Sequence, residues 1–141
     1  MPRIEFKQLW TDDDGMVQLQ ITAASQTHRA VHDTYTTAER IHAFADSLRT
    51  FPQHPQAEVS FECGGRDATW RDYLGRRAFV LKPTGQSALE IELALHDAPP
   101  AAVQCHFYLA ATPADLNRLG EELSRWLTAP TAALAVEWRT D

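Results

Sequence analysis

Cysteine, lysine, glycine and long apolar runs are all scarce in this chain, and each scarcity removes a class of protein. Of the 141 residues, two are Cys, two are Lys and six are Gly. Cys63 and Cys105 form no CxxC pair and stand in no Cys/His cluster at zinc-ligand spacing, which excludes a disulfide scaffold and a zinc module. Both fall in alternating apolar segments and read as buried free thiols. No apolar run approaches the ~20 residues that span a bilayer. The N-terminal "MPRIEFKQLW" also lacks the apolar stretch of a signal peptide, so a cytoplasmic location without a membrane partner is expected. The glycines of "CGGR" and "PTGQ" are too few and too poorly spaced to cradle phosphate, and no cofactor is implied. Basic residues, eleven of them Arg, number 13 against 19 acidic ones, a formal net charge of −6. That balance, without a basic stripe, argues against nucleic acid as a partner. It suits another protein with a basic surface.

Hydrophobic residues make up 44% and charged residues 23% of the chain, enough for one α+β domain over residues 1–141 with a continuous core. Strand signals dominate. "MVQLQITA" alternates, with Val17, Leu19, Ile21 and Ala23 on one side and Gln18, Gln20 and Thr22 on the other. "AEVSFEC", "SALEIELALHD" and "AVQCHFYLA" alternate in the same way. Weaker strands are expected over residues 3–10, at a sheet edge, and in "THRAVHDTYT", "AFVLK" and "LAVEW". "GGRDATWRDYLGRR" reads as the longest irregular stretch.

Two helices interrupt the strands. The first runs from an N-cap at Thr36, with Glu39 at N3, to the stop at Pro52 and Pro55, and its stripe is Ile41, Phe44, Ala45 and Leu48. The second starts at Thr112 with Pro113 at N1 and Asp115 at N3, and its stripe is Leu116, Leu119, Leu123, Trp126 and Leu127. Ile41, Phe44, Leu48 and Phe51 recur 75 positions on as Leu116, Leu119, Leu123 and Trp126. The strands do not match at that offset: "MVQLQITA" fits "ALEIELAL" best at 72. The echo is therefore read as two similar helices meeting the same packing demand. The order β-β-β-α-β-β-β-β-α-β with short turns predicts one large, mainly antiparallel sheet of seven or eight strands with both helices on one face.

Such an arrangement leaves the other face wet. Alternation puts Gln18, Gln20, Thr22, Ser60, Glu62, Glu90, Glu92, Gln104, His106 and Tyr108 there, with Trp70 and Tyr73 of the long loop at its rim. The candidate binding residues are Glu62, Trp70, Tyr73, Glu90, Glu92, His106 and Tyr108, since aromatic residues beside charge favour recognition. Catalytic signatures are absent. Glu90 and Glu92 lie about 6.6 Å apart on a strand, but a flat strand face shields no acid–base pair from water. His28 and His32 are about 13 Å apart if extended, too far to share a metal. "TDDDG" lacks the remaining ligands of a calcium loop and reads as a turn. "ECGG" is no nucleophile signature, and Cys63 faces inward. No catalytic residue and no metal is therefore expected. Two other readings remain: a small-ligand binder or enzyme using loop 64–76 with His106 and Tyr108, and self-association through edge strands containing Ile4, Phe6 and the terminal strand.

The hairpin, the "YTTAERIHAFADSLRTFP" helix, "VSFECGG", "GQSALEIELAL" and the final "PADLNRLGEELSRW" helix together resemble a family of small bacterial proteins similar to the immunity partner of the wall-associated contact-dependent toxin WapI. The resemblance spans about residues 4 to 138 and carries no catalytic residue. It implies a cytoplasmic protein that binds and neutralises a toxin domain.

Overall fold

The computed structural model describes residues 1–140. Ten elements follow in order: β1 (Arg3–Thr11), β2 (Met16–Ala24), β3 (Arg29–Thr37), α1 (Ala38–Arg49), β4 (Glu58–Gly64), β5 (Asp72–Val80), β6 (Ser87–Leu95), β7 (Val103–Ala111), α2 (Pro113–Trp126) and β8 (Leu134–Glu137). This is the predicted α+β order, and every strand pair is antiparallel. The single large sheet is not formed. The strands make two four-stranded sheets, β3-β2-β1-β8 and β4-β5-β6-β7. Each helix is a crossover: α1 carries the chain from edge strand β3 to edge strand β4, and α2 carries it back from β7 to β8. Coverage explains the split. Two helices side by side shield about 20 Å, the width of roughly four strands at ~4.8 Å each. Eight strands in one sheet would leave half the apolar face wet. Two sheets turned toward each other and toward the helices bury all of it in one continuous cluster, from Leu19 and Ile21 through Ile91 and Leu109 to Leu48 and Leu123.

The helices begin where the backbone donors find acceptors. At α2 the Thr112 hydroxyl accepts from Asp115 N, as its N-cap position implied, and the Asp115 carboxylate also accepts from Thr112 N, closing a reciprocal box that the sequence reading placed only at the first helix. At α1 the cap is Thr37, one residue later than expected, and its hydroxyl accepts from Arg40 N. At Gly120 the two helices pack backbone to backbone. A Cβ there would stand 2.6 Å from the Ala45 carbonyl oxygen, so no larger residue fits without separating them. Asn117 Nδ2 then donates to the Leu48 and Phe51 carbonyls at the C-terminal end of α1. Phe44 meets Phe61 of β4 and Phe6 of β1 meets Trp126, so each helix is anchored to a different sheet. The sheets are also stitched directly, by His32 Nε2 to Asp72 Oδ2 at 2.5 Å and by Trp138 Nε1 to the Ala110 carbonyl at 2.7 Å.

Further departures from the sequence reading have physical causes. The β1 strand is not an edge, because β8 returns to pair with Arg3–Phe6; Ile4 and Phe6 are buried and unavailable for association between chains. The irregular stretch ends at Asp72, where β5 begins. Its alternation is hidden because Arg76 occupies an inward position, in register with Phe61 and Ile91. Cys63 and Cys105 lie at opposite margins of one sheet, in the row Cys63–Leu74–Leu93–Cys105, and are free thiols. Among the described residues no helix is long and apolar enough to cross a membrane.

Arg76 is the costliest group in this core. It is 4% exposed, and Nη1 donates to the Gly75 and Glu92 carbonyls, while Nε has no partner. Burial pushes its pKa down to about 10, which leaves it charged at neutral pH. Among the described residues no carboxylate pairs with it. Replacing such a cation with an apolar chain of similar length is often neutral or stabilising. Urea unfolding of Arg76→Met is expected to give a midpoint at or above that of the wild type, and Arg76→Ala a loss of about 2 kcal/mol or more from the cavity left behind. A clear loss in Arg76→Met would mean that the guanidinium itself holds the core.

Candidate functional site

The outward face of β4–β7 is built from four rows of side chains set by the strand register. They are Glu58–Phe79–Ala88–Ala110, Ser60–Arg77–Glu90–Tyr108, Glu62–Gly75–Glu92–His106 and Gly64–Tyr73–Ala94–Gln104. Six of the seven predicted binding residues share this face: Glu62, Tyr73, Glu90, Glu92, His106 and Tyr108. Trp70 does not join them. It stands 53% exposed in the loop before β5, its indole against Gly65, where a Cβ would lie 2.1 Å from the ring. Gln18, Gln20 and Thr22 do face outward, but from the other sheet. The period of two assigns a side to each residue and does not say which sheet the residue is in.

Two charge networks cover the rows. In the first, Glu58 Oε1 accepts from Arg77 Nη1 at 2.5 Å, Arg77 Nε donates to Glu90 Oε1 at 2.8 Å, and Glu90 Oε2 meets His106 Nε2 at 2.8 Å. In the second, Arg66 grips both oxygens of Glu92 at 2.9 and 3.1 Å and donates to the Tyr73 hydroxyl at 3.0 Å. Its guanidinium also lies 4.4 Å above the Tyr73 ring. Tyr73, expected at an exposed rim, is therefore covered. Its ring lies along the strand over Gly75, whose missing side chain makes the room: a Cβ there would meet the Tyr73 oxygen at 2.6 Å. Arg66 and Arg77 are the residues of this candidate site that sequence reasoning missed. Arg77 was legible in principle, as the residue opposite Glu90 once the strands are paired. Arg66 comes from the preceding loop, and no periodicity places it.

These contacts fix protonation. The Arg77 guanidinium, with help from His106, holds the Glu90 carboxyl below the usual range against its partial burial. Glu92 and Glu90 in turn raise the pKa of Arg66 and Arg77. Burial raises the Tyr73 phenol, with the Glu62 charge adding to it. A carboxylate held low is a weak base at neutral pH. Glu90, Glu92 and His106 do bring one potential ligand atom each within 4.8 Å of one another. Each of the four carboxylate oxygens already meets Arg66, Arg77 or His106, so an ion would share these oxygens with the present partners. A depression of about 160 Å³ beside the loop is lined by Arg66, Tyr73, Glu92, His96 and His106, among others. Tyr108 does not line it, so the two residues of the ligand-binding or enzymatic alternative do not share that cavity.

No family model matches the chain, and no curated protein matches it. Solved structures do. The plant transcriptional regulator PBF-2 is similar at a TM-score of 0.51 and 13% identity, over 90% of this chain and 76% of that one. WHY1 from Arabidopsis thaliana is similar at 0.51 and 11%, over 94% and 93%. WHY3 from the same plant is similar at 0.50 and 13%, over 90% and 82%. At these identities the likeness is one of fold. It nevertheless corrects the exclusion of nucleic acid drawn from net charge, because a transcriptional regulator is built on this fold. The exclusion failed because net charge is a sum over the chain. On the outward face of β3-β2-β1-β8, Arg3, Lys7 and Arg29 balance Glu5, Asp33 and Glu137, three against three.

The Glu90 network has a pH signature. Its carboxyl titrates lower in the folded than in the unfolded chain, so its stabilising contribution is complete above the ordinary glutamate pKa. That contribution disappears as pH falls through the depressed folded value. Glu90→Gln is expected to cost about 1–3 kcal/mol at pH 7 and to flatten the acid limb of a stability–pH curve measured by urea unfolding. An unchanged acid limb would show that the network contributes no net stability.

Proposed function

We propose that this is a non-catalytic cytoplasmic binding protein that engages a protein partner through the outward face of β4–β7, in the manner of an immunity protein covering a toxin domain. One observation carries the reading: the face presents a preset pattern of charge, clamped by Arg66 and Arg77, with no activated group among its described residues. A surface whose side chains are already ordered loses little conformational entropy on docking. The resemblance to the WapI immunity partner points the same way. Of the charged groups, Glu58, Glu62, Glu90 and Glu92 outnumber Arg66 and Arg77 by two, which favours a basic partner surface.

A second reading is favoured by a different surface. On the opposite sheet Trp10, Gln18 and Tyr35 share one outward row and Lys7, Gln20 and Asp33 the next. Trp10 is 48% and Tyr35 62% exposed. Flat aromatics beside a cation suit the stacking of unpaired bases, and the fold is shared with PBF-2, a transcriptional regulator.

The first reading predicts that the chain protects cells from the toxin-domain product of a neighbouring gene and co-purifies with it. Glu62→Arg should weaken that complex about tenfold or more, and Glu5→Arg, on the other sheet, should leave it intact. Absence of protection would end the immunity reading. The second predicts that a labelled single-stranded oligonucleotide gains anisotropy at low salt and loses it in Trp10→Ala/Tyr35→Ala, with stacking worth about 1–3 kcal/mol per base. No binding at low salt would remove it.

A further inference from the structure

Beside the charge networks the same face holds an apolar trough. Ala88 and Ala110 sit in one row on neighbouring strands and keep the sheet surface low. Phe79 and Tyr108 rise around them edge to face, with centroids 6.0 Å apart, and Leu81, 50% exposed, closes a third side. Arg77 forms the border with the charged rows, its guanidinium 4.2 Å over the Phe79 ring. The trough is open to solvent, spans about 430 Å³ and is lined mostly by apolar atoms.

We propose that the trough is the anchor point for the protein partner, taking one bulky apolar side chain that is flanked by a lysine or arginine. This rests on the protein-binding reading above and adds the chemistry of the partner to it. The charge requirement follows from which groups are already engaged. Arg77 is held by both Glu58 and Glu90, and Arg66 by Glu92. The unbalanced charge therefore falls on edge strand β4, at Glu58, half-exposed and in the same row as the trough, and at Glu62, which forms no ion pair among the described residues. Glu58 lies two strands from Ala88, about 10 Å, so the partner's cation belongs at about that distance from its apolar anchor. A phosphate-bearing partner would meet carboxylates there.

The full chain, labelled with ¹⁵N, is titrated with a short peptide in which one tryptophan is flanked on both sides by arginines. Saturable shifts are expected at Phe79, Leu81, Ala88, Tyr108 and Ala110. The Trp→Ser and Arg→Glu forms of the peptide should each bind about tenfold more weakly. Leu81→Ser, at an exposed turn position that cannot disturb the core, and Glu58→Lys should each weaken binding by a similar factor. Shifts centred elsewhere, equal binding of the Arg→Glu peptide, or no saturation by about 1 mM would overturn the proposal. If the trough fails while Glu62→Arg still disrupts the complex with the neighbouring gene's product, the anchor is wrong and the binding face stands. If that complex never forms, the protein-binding reading falls whatever the peptide does.

Discussion

Everything in this molecule depends on a shared dry interior between two sheets that neither could bury alone. Each four-stranded sheet has one apolar face, and each helix one apolar stripe. The helices satisfy both sheets because they are connectors: each leaves the edge of one sheet and enters the edge of the other. Their close approach at Gly120 keeps the two crossovers together, and with them the two sheets. The 75-residue echo of the helical stripes acquires a structural sense from this. It belongs to a repeated topology, four antiparallel strands followed by a helix, closed on itself when β8 returns beside β1.

Turning the two sheets toward one core gives the molecule two outward faces in place of one, and the faces are unlike. That of β4–β7 is organised by guanidiniums lying across carboxylates and rings, with Glu90 and Tyr73 almost covered by their own neighbours. That of β3-β2-β1-β8 is balanced in charge and carries the exposed rings of Trp10 and Tyr35. An acidic total for the chain conceals the difference, which is why charge counted along the sequence misjudged the partner classes open to it.

Glycine and arginine are where local reading was weakest. At Gly75 the missing side chain lets Tyr73 lie down on the sheet, and an expected loop aromatic becomes a covered strand residue. At Arg76 an inward cation breaks the alternation that would have announced β5. Both are choices that only tertiary contacts explain.

Alternation and helical spacing, by themselves, determined the order of all ten elements, the Thr112 start of α2, and the inward or outward side of the residues in the clearly alternating strands, Glu62, Glu90, Glu92, His106 and Tyr108 included. Those features are local: they follow from backbone geometry repeated every two or 3.6 residues. Where the sheet divides, that β1 is interior, that Arg66 and Arg77 clamp the carboxylates, and that Ala88 and Ala110 open a trough between Phe79 and Tyr108 were decided only by folding. Each depends on which distant segments become neighbours, and the lateral pairing of strands leaves no period in the chain to read.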